Sequence, residues 1–431
     1  MLPTTIDGWV DYTQTLHDRT IDLTLDRVAE VRDRLNLNPL PCRAISVAGT
    51  NGKGSTVSML ESIYQKAGYR TACYTSPHLV SYNERIRVDG APVDTPELLE
   101  AFDAVERARE QTPLTYFEFG TLIAAHIIRN SKVDIALLEV GLGGRLDAVK
   151  VLSSDLSIIT SIGIDHQAWL GPDRETIGRE KAGIMHEDGK AVCAESECPN
   201  SIIEEARRNR VDLWCIGTQF GFEYVGSDSP RQWRWWCRQQ QSREYGVLPP
   251  PGLAGRHQYY NASGVVAAID RMQEYLPVAV EELAAGLKTA SLAGRLQRIS
   301  EQPMCLVDVA HNVEAVLQLR SYMDRHPVSG RTYAIMGMLE DKPVGECVDV
   351  ISEQIDEWFL ADLEVDRGLS SDQLNQIVTE RLSGPVTHSF HDPVQAWRTA
   401  SERATRDDRI IAFGSFHTVG DILASLKSGS I

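Results

Sequence analysis

Apolar positions along the chain follow two alternating periods. Short, nearly unbroken apolar runs, beginning with RAISVAG at 43–49, give way to turns rich in small residues. Each turn leads into a stretch whose apolar residues recur three and four apart, as in STVSMLESIYQKAG, which ends at Gly68. TACYTSP at 71–77 is the next expected strand, 96–110 reads as a helix opened by Thr95 and Pro96, and FGTLIAAHIIRN continues the alternation. VDIALLEVG at 133–141 and LSIITSIG at 156–163 look like strands buried on both faces. After about residue 295 the pattern restarts. MCLVDVAHN leads into EAVLQLRSYMD, RTYAIMGM leads towards a helix around 343–355, and WFLADLEV, DQLNQIVTERL and RIIAFGSFHTVGDIL complete the series. This is the strand–helix–strand grammar of α/β domains with mostly parallel sheets. Two are expected, at 1–295 and 296–431, joined through ASLAGRLQRI. Within the first, 212–260 carries closely spaced aromatics and the turn PPPGLAG, which point to antiparallel strands at the domain edge.

The length of 431 residues would accommodate two or three such domains, and the single restart favours two. With 43 Lys and Arg against 60 Asp and Glu the formal charge is −17, which argues against a nucleic-acid backbone as partner. Only RQWRWWCR at 231–238 interleaves bases with aromatics, and a surface strand or hairpin accounts for it equally well. No run approaches the length of a membrane span, and MLPTTIDGWVDY has neither a basic nor an apolar leader region, so a cytoplasmic protein without a membrane partner is expected. The eight cysteines, at 42, 73, 193, 198, 215, 237, 305 and 347, contain no CxxC pair and read as reduced, mostly core residues.

The strongest chemical signal is Gly49-Thr50-Asn51-Gly52-Lys53-Gly54-Ser55-Thr56, between a strand and a helix. Small residues let backbone N–H groups converge on phosphate oxygens, the helix N-terminus adds positive potential, and Lys53 can reach a terminal phosphate. Ser55 or Thr56 is placed to complete a Mg²⁺ shell. The run departs from G-x-x-x-x-G-K-[ST], because two residues separate Gly49 from Gly52 and Gly54 follows the lysine. The expected fold is therefore a phosphate-loop, mononucleotide-binding parallel-sheet domain followed by a smaller Rossmann-like α/β domain. Acidic and hydroxyl partners stand after neighbouring strands: Ser76 after TACYT, Glu139 at the end of VDIALL, and Asp165-His166 after LSIITSIG. From the residues alone, Lys181 in GREKAGIM is an ordinary helical lysine and His166 a surface or hinge residue as readily as a ligand.

Together VAGTNGKGST (47–56), TSPHLVSYNERIRVDG (75–90), TYFEFGT (115–121), LLEVGLGGRLDA (137–148), SIGIDHQAWLG (161–171), REKAGI (179–184), LAGRHQYYNA (253–262), AGRLQ (293–297) and VDVAHN (307–312) resemble the folylpolyglutamate synthases. The likeness is to the bacterial bifunctional dihydrofolate synthase/folylpolyglutamate synthases of the Mur ligase superfamily. The resemblance implies an ATP-dependent ligase that phosphorylates a carboxylate and lets the amine of L-glutamate attack the acyl phosphate. It implies ligation of two Mg²⁺ ions by Ser55, Ser76, Glu139, His166 and a carbamylated Lys181. It makes Lys53, Lys181, His166 and Glu139 the catalytic set, and assigns ATP to the loop together with Asn261, Arg295, Asp308 and His311. Dihydropteroate or a reduced folate would lie against Asp22, Leu23 and Thr24, Ser76, Pro77 and His78, Thr115, Tyr116, Phe117 and Glu118, and Leu146, Asp147 and Ala148. Thr115 to Glu118 combine aromatic surface with a carboxylate, which suits a flat, donor-rich ring. Ser415 and His417, in a strand-to-helix turn, are further substrate candidates. The resemblance also implies a monomer. The usual proline after Asn312 is here Val313, which alters a turn and removes no functional side chain. A monofunctional folylpolyglutamate synthase and a phosphate-loop NTPase switch are the alternatives; a switch would have no use for Glu139, His166 and Lys181 together.

Overall fold

The computed structural model describes residues 2–227, 231–239 and 244–429. The chain divides into two compact units. The first comprises Met1–His78, Tyr82–Gly252 and Gln258–Ser291; the second comprises Leu79–Ser81, Leu253–His257 and Leu292–Ile431.

The first unit is built on an eight-stranded sheet in the order Ala91–Pro92, Ile86–Val88, Thr71–Tyr74, Ile135–Glu139, Arg43–Ala48, Leu156–Ile159, Lys190–Cys193, Asp212–Cys215. The six strands from Thr71–Tyr74 onward are parallel and the first two antiparallel. Arg43–Ala48 lies between strands reached by crossovers in both directions, so the loop at its carboxyl end stands where an open α/β sheet gathers ligands. The sheet's interior parallel strands are buried apart from Arg43 and Lys190 at their starts, which is why they read as continuous apolar runs. One sheet face carries a core in which Trp9 stacks on Phe102, with centroids 5.2 Å apart, together with helices Thr95–Arg109 and Tyr116–Asn130. The two amino-terminal helices, Ile6–Gln14 and Asp26–Arg34, join this layer and had no counterpart in the sequence reading.

The aromatic-rich region departs from expectation at its start. Asp212–Cys215 is not antiparallel but pairs in parallel with Lys190–Cys193, extending the main sheet. Phe220–Val225, Gln232–Cys237 and Val247–Leu248 then form a separate antiparallel sheet. The segment containing RWW is thus a strand, with Trp233 and Trp235 buried and Phe222 stacked on Tyr259 of the helix His257–Met272.

The second unit has six strands in the order Gln297–Glu301, Met304–Val307, Arg409–Phe413, Thr332–Met336, Glu357–Ala361, Val386–Phe390. The first pair is antiparallel and the rest parallel. Apolar cores occupy both faces, around Leu319, Met323 and Trp358 on one and Ile335, Phe359 and Trp397 on the other. Both units are α/β, as the pattern required.

Candidate active site

The loop between Arg43–Ala48 and the helix Lys53–Lys66 can be closed only by glycine at two points. Gly49 and Gly52 have φ of +153° and +89°. A Cβ at 49 would lie 1.8 Å from Thr160 Oγ1, and one at 52 would lie 2.5 Å from Asn261 Oδ1. The neighbouring strand end clasps the loop. Thr50 N–H donates to the Ser161 carbonyl at 2.7 Å and its hydroxyl to that of Gly163 at 3.1 Å, while Asn51 N–H reaches Ser161 Oγ at 3.0 Å. Thr160 and Ser161 hydroxyls donate back to the Asn51 carbonyl at 2.6 and 3.1 Å. From the other flank Gln258 donates to Ser55 Oγ at 3.2 Å and is itself held by Asn261 at 3.0 Å.

Lys53 Nζ folds back onto the carbonyls of Gly49 and Thr50 at 3.1 and 3.3 Å. Lys181 Nζ, from the helix Arg174–Ala182, donates to the same Gly49 carbonyl at 2.9 Å and is buried. Burial, then repulsion from Lys53, pulls the Lys181 amine down to about 7, against the opposing pull of Asp165 and Asp147. Asp147 accepts from the N–H groups of Leu142 and Val149 at 2.8 and 2.9 Å, yet burial still raises it to about 6. Glu139 is buried at the end of its strand, and its Oε2 accepts the Ser76 N–H at 3.3 Å. His166 sits in a left-handed conformation, φ 52°, on the loop that clasps Thr50; Asp165 caps its backbone N–H at 2.8 Å.

These residues fit a nucleotide phosphate with a hard cation. The loop is a cradle that any side chain at 49 or 52 would fill, and Thr56 Oγ1 is buried without a hydrogen-bond partner. The acidic and hydroxyl oxygens of Glu139, Ser55 and Ser76 suit Mg²⁺ or Mn²⁺, ions completed by phosphate and water. Among the described residues no three His, Cys, Asp or Glu side chains could hold a metal by themselves.

The expected pterin residues fall into two arginine-centred groups. Arg27 bridges Asp22 at 3.3 Å and Glu118 at 3.2 Å and donates to Thr24 Oγ1 at 2.9 Å. Glu118 is fixed from the other side by a capping box with Thr115, whose N–H it accepts at 2.7 Å. Arg85 Nε donates to His78 Nδ1 at 2.8 Å and lies over the Tyr116 ring at 5.2 Å. Phe117 packs over Gly141 and near Tyr74. Ala148 is buried beside Asp147, whereas Leu146 and Leu23 are half-buried.

In the second unit Asp308 is half-buried and accepts from the N–H groups of Leu296 and Ala310 at 2.7 and 2.8 Å; desolvation raises its carboxyl against the pull of Arg295. Arg295 lies over Phe416 at 5.3 Å, and His311 Nδ1 is 2.8 Å from the Val309 carbonyl. Asn312 and Ser415 are helix N-caps, so the Ser415 hydroxyl serves Thr418, and His417 is exposed. Sequence reasoning missed Arg27, Arg85, Thr160, Ser161 and Gln258. The hydroxyl pair closing LSIITS was a visible signal; the arginines gave none.

Fold and site define an α/β protein that grips nucleotide phosphate at a strand-to-helix loop. The Mur ligase middle domain matches residues 47–269 and the Mur ligase glutamate ligase domain residues 294–416. The Escherichia coli dihydrofolate synthase/folylpolyglutamate synthase is 39% identical over 96% of this chain and 94% of its own length. The structure of Escherichia coli FolC in complex with DHPP and ADP aligns with a TM-score of 0.91 at 36% identity, covering 100% of both chains. A bifunctional folylpolyglutamate synthase/dihydrofolate synthase with Mn, AMPPNP and L-glutamate bound aligns with a TM-score of 0.89 at 39% identity, covering 99% of this chain and 100% of the other. The chain belongs to the Mur ligases, and within them to the dihydrofolate synthase/folylpolyglutamate synthase family.

Proposed function

We propose that this enzyme is an ATP-dependent carboxylate–amine ligase that adds L-glutamate to dihydropteroate, forming dihydrofolate, and to the γ-carboxylate of reduced folates. The observation that carries the reading is the convergence of Lys53 and the buried Lys181 amine on the Gly49 carbonyl of a phosphate cradle. The near full-length match to bifunctional relatives supports both halves of the activity.

Lys53 would leave its two loop carbonyls for the γ-phosphate and, with the helix N-terminal N–H groups, offset charge on the transferring phosphoryl group. The acceptor carboxylate attacks that phosphorus and ADP departs; the glutamate amine then attacks the acyl phosphate and phosphate leaves. Exclusion of water protects the acyl phosphate from hydrolysis. Ser55, Ser76, Glu139 and His166 would hold divalent cations in two sites, which when bound would supply charge neutralisation for the phosphoryl oxygens. Lys181 is read as carbamylated: a buried amine poised near neutrality is the nucleophile that carbon dioxide requires, and the carbamate would place anionic oxygen beside the cation. Asp22 and Glu118, held by Arg27, accept from the donor-rich edge of the pterin, with Tyr116 and Phe117 as aromatic surface. Asn261, Arg295, Asp308 and His311 are assigned to the nucleotide. The enzyme is read as a cytoplasmic monomer; among the described residues no helix is long and apolar enough to cross a membrane.

The test is ATP turnover with L-glutamate and either dihydropteroate or a reduced folate, with the products identified by mass. Glutamate-dependent product from both acceptors is expected. Product from reduced folate alone would remove the dihydrofolate synthase half, and none from either would remove the ligase reading.

A further inference from the structure

Three cysteines, separated by 5 and 17 residues in sequence, meet at the carboxyl edge of the large sheet. Cys193 ends the strand Lys190–Cys193 and pairs in register with Cys215, the last residue of Asp212–Cys215. Cys198, in the loop before the helix Asn200–Arg208, stands between them: its Sγ is 3.5 Å from that of Cys193 and 3.9 Å from that of Cys215. Cys193 is fully buried, whereas Cys198 and Cys215 are half-buried, so solvent reaches the cluster from one side. A van der Waals cluster of thiols could be simple core packing. A sulfur on a loop, partly exposed and at S–H···S distance from two other thiols, is also the arrangement in which a neighbouring thiol can displace a leaving group.

The same loop is tied to the phosphate cradle. Glu195, between Cys193 and Cys198, accepts the Ile162 N–H at 2.8 Å and pairs with Arg174 at 3.3 Å. The next residue, Gly163, donates its N–H to Thr50 Oγ1 at 3.0 Å.

We propose that Cys193, Cys198 and Cys215 form a reversible thiol-modification site at which a small-molecule disulfide oxidises Cys198 and one neighbour to an intramolecular disulfide. In the first step one protein thiolate attacks a sulfur of the small disulfide, its S–S bond breaks and one thiolate departs. In the second step the adjacent protein thiol loses its proton and attacks the protein-bound sulfur, forming the protein disulfide and expelling the second thiolate. Two protein thiols are oxidised, the small disulfide is reduced to two thiols, and the two protons pass to them. Bond formation draws two sulfurs from van der Waals contact to about 2.0 Å, which shifts the 194–198 loop and the Glu195 carboxylate. In a reducing compartment such a bond is transient, as regulatory disulfides are.

The experiment treats the full-length protein with glutathione disulfide, blocks remaining thiols with an alkylating agent and maps peptides by mass without reduction. A Cys198–Cys193 or Cys198–Cys215 peptide, lost on adding dithiothreitol, is expected; Cys198 recovered alkylated, or only as a glutathione adduct, overturns the proposal. Cys198→Ser, checked for native circular dichroism, should abolish the linked peptide, while Cys237→Ser should leave it. The effect on the cradle rests on the nucleotide site proposed above and is read separately. Oxidation should raise the KM for ATP about tenfold by displacing the loop, in the parent and not in Cys198→Ser. A mapped disulfide with an unchanged KM would overturn the coupling to the cradle.

Discussion

Lys53 and Lys181 donate to one carbonyl, and their surroundings separate their roles. Lys53 is at the loop's mouth and only part-buried, so Lys53→Ala should keep the melting temperature close to the parent's. Glutamate-dependent ADP release should fall by about 10²–10³-fold, the usual cost of one preorganised charge-stabilising donor; near-normal turnover would show that the phosphate lies elsewhere. Lys181 is set by burial. Its folded value of about 7 lies below the 10.5 of an exposed lysine, so between these the unfolded chain binds the extra proton. An unmodified Lys181 therefore contributes stability that rises with pH across that window. Its neutral form, the one that reacts with carbon dioxide, is lost as pH falls through about 7. Bicarbonate activation should disappear over the same range, and Lys181→Ala should be inactive and insensitive to bicarbonate. Arg27→Ala strips two carboxylates of their shared cation. Removing the partner of a part-buried charge costs about 1–3 kcal/mol, so the KM for the pterin acceptor should rise about tenfold or more while the KM for ATP holds. The cradle residues were legible because phosphate binding needs them contiguous. Arg27 and Gln258 were not, because their partners lie 91 and 203 residues away and only the folded chain brings them together.

Elements positioned the chemistry where their ends carry it. The helix Tyr116–Asn130 begins with a reciprocal Thr115–Glu118 capping box, so a structural device also orients a candidate ligand-binding carboxylate. Thr115→Ala should cost about 1 kcal/mol of stability in thermal denaturation and, by loosening Glu118, raise the KM for the acceptor as well. A stability loss with no change in KM would confine the residue to capping. Buried parallel strands were readable from their apolar runs, since both faces demand the same residues. Val386–Phe390 was not, because it lies at the sheet edge, is mostly half-exposed and carries Thr387, His388 and Ser389. Asp212–Cys215 was assigned to the wrong pairing because a short edge strand next to aromatic hairpins has no pattern that distinguishes parallel from antiparallel. The thiol cluster was invisible for a related reason: register, not spacing, sets Cys193 beside Cys215.

The whole molecule carries a net charge of −17 while its proposed substrates are anions, so attraction has to be local. Lys53 and the helix N-terminus supply it at the cradle, and Arg27 and Arg85 at the acceptor residues. Acid should weaken the fold through groups outside this site. The surrounding protein lowers His186 in the first unit and His257 in the second to about 4, although both rings are partly exposed. Between the ordinary value of 6.5 and about 4 the unfolded chain binds the extra proton, so stability is lost as pH falls through that range. Urea midpoints should fall between pH 7 and 5, and less steeply when His186 and His257 are both replaced by Asn; an identical slope would place the acid sensitivity elsewhere. The central claim is that the acceptor carboxylate is activated by phosphorylation before glutamate attacks. Dihydropteroate labelled with heavy oxygen in its carboxylate tests it most directly, by the label found in the released phosphate. One labelled oxygen per phosphate is the result this account requires, and inorganic phosphate free of label, alongside normal dihydrofolate formation, would contradict it.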